Sequence, residues 1–129
     1  MRGALSLLVA CALLACSGST TGGGGPAGAS GLPGNLLLSQ LNDAQLAQLC
    51  DWSAAKEGGY GATESCDGGI TVHAKASQQD CVTSSRTETA KATCTATVSD
   101  AETCINALAS DPCDIGTPAC APLISCAGA

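Results

Sequence analysis

The residues in this sequence with the clearest capacity for chemistry are ten cysteines and one histidine. Eight cysteines lie within residues 50–126, and no two of these have fewer than five residues between them. A structural zinc site or a thioredoxin-like redox centre would need short Cys-x-x-Cys spacing. If the chain is exported, an even number of well-separated cysteines instead predicts a disulfide framework. Its connectivity stays open, because about a hundred pairings exist for the predicted bridge-forming residues Cys50, Cys66, Cys81, Cys94, Cys104, Cys113, Cys120 and Cys126.

His73 is the only histidine, and so the only candidate for a general base of the usual kind. It falls on the polar side of a predicted strand, between Thr71 and Lys75. Serine-hydrolase chemistry would also need a positioned serine, and the sequence contains no Gly-x-Ser-x-Gly elbow. We therefore predict no catalytic residue and no enzyme. A small hydrolase centred on His73 is the alternative.

Other side chains that could bind a ligand are few. Glu64, Asp67 and Asp114 could hold calcium only if the fold gathers them, and they form no EF-hand pattern. We predict no metal and no cofactor. Trp52 falls at helical spacing in an apolar pattern and is expected in the core, whereas Tyr60, in a glycine-rich loop, is the predicted contact residue.

The first fifteen residues have the composition of a secretory signal peptide. Met1-Arg2 supplies a positive charge, and residues 3–15 are uncharged and mostly apolar. This run is shorter than the roughly 20 apolar residues that a membrane-spanning helix needs. We therefore predict that residues 1–15 direct export and are then removed.

Leu13, Leu14 and Ala15 end this segment, and Cys16 is the next residue. They resemble the lipobox of bacterial lipoproteins, in which Leu, a small or aliphatic residue, and Ala or Gly precede a cysteine. The resemblance implies that Cys16 carries a diacylglycerol and, after cleavage, an acylated amino group such as a palmitate amide. Because Ser17 rather than an aspartate follows, it also implies the outer membrane more than the inner membrane of the bacterial cell envelope. The predicted partner is thus a membrane, which the protein contacts through the lipid on Cys16.

Cysteine number and charge agree with this interpretation. Loss of Cys11 with the signal peptide and acylation of Cys16 leave eight cysteines, which can pair completely. Without Arg2, four basic residues face eleven acidic ones, which gives a net charge of −7. Such a chain is poorly suited to nucleic acid or to anionic lipid surfaces, whose attraction for proteins comes from neutralised phosphates. We predict no nucleic-acid partner.

Composition divides the rest of the chain into two parts. Residues 16–35 are uncharged and rich in glycine, serine and threonine, which predicts a flexible linker after the lipidated cysteine. Residues 36–129 hold the eight cysteines and nearly all large apolar residues, which predicts a disulfide-stapled domain. We expect an α+β domain, mainly α, with two to three helices and a two-stranded antiparallel ribbon.

Capping signals place the helices. Asn42 begins a capping box and predicts a helix over residues 42–57. Ser77 is expected to cap a short helix, and Ser99, with Glu102 three residues later, a further one.

Alternating patterns place the strands. Residues 70–76 and residues 88–98 alternate between apolar and polar positions, which predicts two strands that pair with each other. Residues 113–129 are expected to form a stapled coil with a helical turn near Leu123.

Residues 36–129 are similar to the small cysteine-rich lipoproteins of Gram-negative bacteria that have no assigned activity. We therefore expect a non-enzymatic interaction or envelope module, anchored outside the cytoplasm, with an envelope or extracellular protein as its partner. An inhibitor-like or toxin-like domain that uses the loop at residues 58–65 is a further alternative to the hydrolase.

Overall fold

The computed structural model describes residues 28–127. Its helices are α1 (Asp43–Lys56), α2 (Gln78–Thr89), α3 (Val98–Ser110) and α4 (Ala121–Ala127), and its strands are β1 (Thr63–Cys66) and β2 (Ile70–His73). Short 3₁₀ turns lie at Leu38–Gln40, Asp67–Gly69 and Pro118–Cys120. The predicted fold class is confirmed: a small, mainly helical, disulfide-rich domain with one two-stranded antiparallel sheet, and it has four helices where two to three were expected. None of the described helices is long and apolar enough to cross a membrane.

Helix α1 forms as its capping signals predict. The Asn42 side chain accepts a hydrogen bond from the Gln45 backbone at 2.9 Å, and the Gln45 side chain accepts one from the Asn42 backbone. This exchange satisfies two of the backbone donors that every helix leaves unpaired at its first turn. Leu46, Leu49 and Cys50 form the buried face. Trp52, as expected, packs against the core.

The hairpin, residues 63–73, confirms one predicted strand and corrects its partner. Strand β2 lies within the predicted segment at residues 70–76, but it pairs with β1, which was expected to be loop. Gly68 and Gly69, both at positive φ, make the tight connection that brings Ile70 opposite Cys66. A hairpin closes fewer residues of chain than pairing across α2 would, so its loop-closure cost is lower.

The prediction of a paired strand over residues 88–98 was wrong. Helix α2 runs to Thr89, and turns follow it, in keeping with the weak strand propensity of alanine. Only the end of the segment is extended. There the Leu38 N–H donates to the Ala96 carbonyl and the Val98 N–H donates to the Leu36 carbonyl, both at 2.9 Å. The alternation of apolar residues therefore reflects the burial of Ala96 and Val98 and not membership of the sheet.

Helix α3 begins at Val98 and is capped by Thr97, so the expected N-cap at Ser99 is wrong. Thr97 and Asp100 form the capping box that was predicted for Ser99 and Glu102. Glu102 instead lies buried and accepts a hydrogen bond from the Ser30 N–H at 2.7 Å. The two candidate boxes overlap by two residues, and the burial of Val98 as the first helical residue selects the earlier one.

Residues 28–35, which fall within the predicted linker, pack against the helices. Leu32 is only 4% exposed and belongs to the same core cluster as Leu41, Leu46 and Val98. The Gln48 side chain donates to the Ser30 carbonyl at 2.8 Å. The packed domain thus includes residues N-terminal to Leu36. The signal segment, Cys16 and the linker up to residue 27 lie outside the described residues.

The eight cysteines predicted to form bridges all do so. The four disulfides are Cys50–Cys81, Cys66–Cys113, Cys94–Cys126 and Cys104–Cys120. Cys50–Cys81 joins α1 to α2, and Cys104–Cys120 joins α3 to the turn before α4. Such bridges persist in oxidising surroundings, so the domain belongs to an extracytoplasmic compartment.

Candidate functional site

An open cleft of about 560 Å³ runs between the helices and the hairpin. Every helix and both strands contribute to its walls. Its lining is mainly aliphatic and includes Leu38, Leu46, Leu49, Val72, Ile105, Leu108, Ile115 and Leu123. Ligand sites in proteins are typically concave, mostly apolar and of about 300–1,000 Å³. The cleft therefore has the dimensions and lining of a binding site.

Disulfides connect elements that form the walls of the cleft. Cys50 and Cys81, which are bonded to each other, both line it, and so do Cys104 and Cys126 from two further bridges. A domain of this size would tend to collapse into an apolar gap, because unfilled apolar space forfeits packing energy. Covalent links between the walls oppose that collapse.

The hairpin forms an outer wall of the cleft. No residue from 55 to 88 is buried, so the hairpin adds little to the core. Val72 and Ala74 are half-buried and line the cleft. The Cys66–Cys113 bridge ties this wall to the segment after α3.

Charged residues of both signs surround the cleft. Lys56 and Lys75 contribute positive charge, whereas Glu57, Glu64 and Glu88 contribute negative charge. The Lys56 ammonium lies 5.6 Å from the centre of the Trp52 ring, a cation–π distance. The rim is thus mixed in sign rather than a basic or acidic patch.

His73 lies at the exposed end of β2, opposite Thr63, and forms part of the cleft lining. Among residues 28–127, its imidazole forms no hydrogen bond with a serine or a carboxylate. General base catalysis through His73 would need such a partner to orient the ring. The arrangement supplies a polar group at the cleft rather than a catalytic pair.

The three acidic residues considered for calcium are not gathered. Asp67 opens the turn between the strands, Glu64 lies on β1, and Asp114 follows Cys113 beyond α3. Within the described part of the chain, no group of three or more His, Cys, Asp or Glu side chains could hold a metal ion.

Tyr60, the predicted contact residue, is half-buried, and its hydroxyl group is occupied. It donates a hydrogen bond to the Asp51 carboxylate at 2.8 Å, and the Gln78 side-chain amide donates to the same carboxylate. Burial of the ring, the hydrogen bond to Asp51 and the negative charge of Asp51 raise the pKa of Tyr60 to about 12. This network joins the loop after α1, which carries Tyr60, to Asp51 on α1 and to Gln78 at the start of α2.

Tyr60 is the only tyrosine, so its ionisation can be followed directly by absorbance near 295 nm. We expect a midpoint of about 12 in the folded protein and about 10 in the unfolded chain. Because the folded pKa is the higher one, this contribution to stability is complete below pH 10 and is lost as the pH rises towards 12. Asp51→Ala should lower the midpoint only in part, since burial is the largest cause. An unchanged midpoint would show that Asp51 does not act on Tyr60.

Comparisons with protein-family models, with curated proteins and with solved structures found no match. The cleft itself was missed by sequence reasoning. Its lining residues come from all parts of residues 38–126, and their helical spacing is that of ordinary core positions. The only sequence feature that pointed towards the cleft was the high cysteine content. It predicts that the elements are cross-linked, but it does not predict an open space between them.

Proposed function

We propose that this protein is a lipid-anchored, non-enzymatic binding module of the bacterial cell envelope, in which the cleft holds an apolar ligand. The cleft is the observation that supports a binding role, because its mainly aliphatic walls enclose an open space of about 560 Å³. The oxidising compartment that four disulfides indicate supports placement in the envelope. The resemblance of residues 13–16 to a lipobox supports anchoring at Cys16, and two or more acyl chains would hold the domain stably on a bilayer.

The two alternatives have less support. A hydrolase centred on His73 would need an orienting partner for the imidazole, and the described hydrogen bonds supply none. An inhibitor-like role for the loop at residues 58–65 would need a freely presented contact side chain, whereas the Tyr60 hydroxyl is engaged by Asp51.

The binding role is tested with the uncharged apolar dye Nile red and the oxidised protein. Ala109, a half-buried residue of the cleft wall, is replaced by tryptophan to fill the cleft. Ala55→Trp is the matched control, because Ala55 is exposed near the end of α1 and does not line the cleft. We expect saturable binding to the native protein and the control, and at least about tenfold weaker binding to Ala109→Trp. Equal binding to the two variants would refute the cleft as the site.

Anchoring is tested separately by mass spectrometry of the protein purified from membranes. An acylated peptide beginning at Cys16 is expected, together with four linked cysteine pairs in the unreduced digest. A mature chain that begins elsewhere would contradict the anchor and leave the binding result unaffected.

A further inference from the structure

We infer that the ligand of the cleft is a single-chain zwitterionic lipid, with one linear acyl chain between the helices and a head group that carries both charges at the rim. This inference rests on the proposed binding role of the cleft and names the class of ligand. It follows from the chemistry of the walls, the size of the space and the charges at the opening.

The walls favour a flexible aliphatic chain over a planar ring system. The sequence contains no phenylalanine, and neither Trp52 nor Tyr60 lines the cleft. Aliphatic side chains, among them leucine, isoleucine and alanine, make up most of the lining together with half-cystines. A planar aromatic ligand such as Nile red can be held there only by non-directional apolar contact, because no large aromatic face is available for stacking, whereas an acyl chain adjusts its torsions to an irregular aliphatic surface.

The size of the space suits one acyl chain. Ligand sites in proteins are typically about 300–1,000 Å³, and the cleft of about 560 Å³ lies within that range. A helical segment of another protein would bury only one face in the open cleft, and it is the competing occupant that the chain-length series tests.

The charges at the rim select the head group. Two lysines and three glutamates contribute to the lining, so a fatty-acid carboxylate would meet more negative than positive charge. A cationic surfactant would gain from the glutamates and meet repulsion from Lys56 and Lys75. A phosphodiester joined to an ammonium group presents an anion to the lysines and a cation to the glutamates, so each of its charges meets side chains of opposite sign in the lining.

The test measures binding of alkylphosphocholines with eight, ten and twelve carbons by calorimetry, at concentrations below micelle formation. Each methylene group that enters an apolar site strengthens binding about fourfold, so two more carbons should strengthen it about fifteenfold until the cleft is full. Leu108→Gln, at a half-buried cleft position, should weaken the longest probe, and Ile124→Gln, at a position 64% exposed outside the cleft, should not.

The outcomes separate this inference from the proposed function. An affinity that does not change with chain length, in a protein that still binds Nile red at the cleft, would overturn the acyl-chain inference alone. Tenfold tighter binding of an alkyl sulfate of the same length would overturn the zwitterionic head group. Failure of both the dye and the alkyl series would overturn the proposed function with the inference.

Discussion

Replacing Cys94 and Cys126 together by alanine is expected to lower the free energy of unfolding by about 2–5 kcal/mol. Both residues are buried, at 6% and 3% exposed, and both belong to the main core cluster. Their bridge attaches α4, which has only seven residues and is too short to be a stable helix without tertiary contacts. The change thus removes a covalent constraint, buried sulfur and the bridge to α4, while Cys104–Cys120 still holds the residue before it.

The matched control is the double replacement of Cys66 and Cys113 by alanine. This bridge closes the longer stretch of chain, with a sequence separation of 47 against 32. In the chain-entropy view, that difference favours Cys66–Cys113 by only about 0.3 kcal/mol. Leaving a cavity at a buried site costs more, on the order of 1 kcal/mol or above. We therefore expect the control to retain more stability, because Cys113 is exposed and Cys66 is half-buried.

Urea unfolding followed by the fluorescence of Trp52, the only tryptophan, measures both variants. Hydrogen exchange should show that the control loosens mainly the hairpin, where no residue is buried. If the control lost as much stability as the Cys94–Cys126 variant, or more, loop closure rather than burial would govern the disulfides of this domain.

Local signals in the sequence were sufficient where an element depends on its own residues. The capping box at Asn42 and the N-cap at Ser77 mark helix starts that the structure confirms, because a cap is satisfied within three residues of chain. The complete pairing of the eight cysteines was likewise predictable from compartment and number. Which cysteine pairs with which was not, since pairing depends on how the helices pack.

Long-range contacts account for the predictions that were wrong. The alternating segment at residues 88–98 has the burial pattern of a strand, but its partner is the stretch at residues 36–38, which has no strand signal of its own. The choice between Thr97 and Ser99 as N-cap depends on Val98, whose complete burial is a tertiary property. The cleft is the extreme case, because it is formed by the space between elements and no local pattern encodes it.

Glu102→Ala is expected to lower the free energy of unfolding by about 1–3 kcal/mol. Glu102 is 8% exposed, and its carboxylate accepts a hydrogen bond from the Ser30 N–H, while the Gln48 side chain donates to the Ser30 carbonyl. Removal of the carboxylate leaves a buried backbone donor without its partner, and such a donor loses hydration without compensation. Glu102→Gln keeps an acceptor of nearly the same shape and should cost less. Glu64→Ala, at an exposed position, should leave stability nearly unchanged.

The Glu102→Ala variant also tests how residues 28–32 are held against the helices. Ser30 belongs to the glycine-rich stretch predicted as linker, and its backbone is fixed at the N–H by Glu102 and at the carbonyl by Gln48. If the contact matters, Glu102→Ala should accelerate amide exchange at Ser30 and Leu32 more than in α1 or α3. Unchanged exchange at these amides would mean that apolar packing of Leu32 and the hydrogen bond from Gln48 hold the segment without Glu102, and the stability loss should then fall below about 1 kcal/mol.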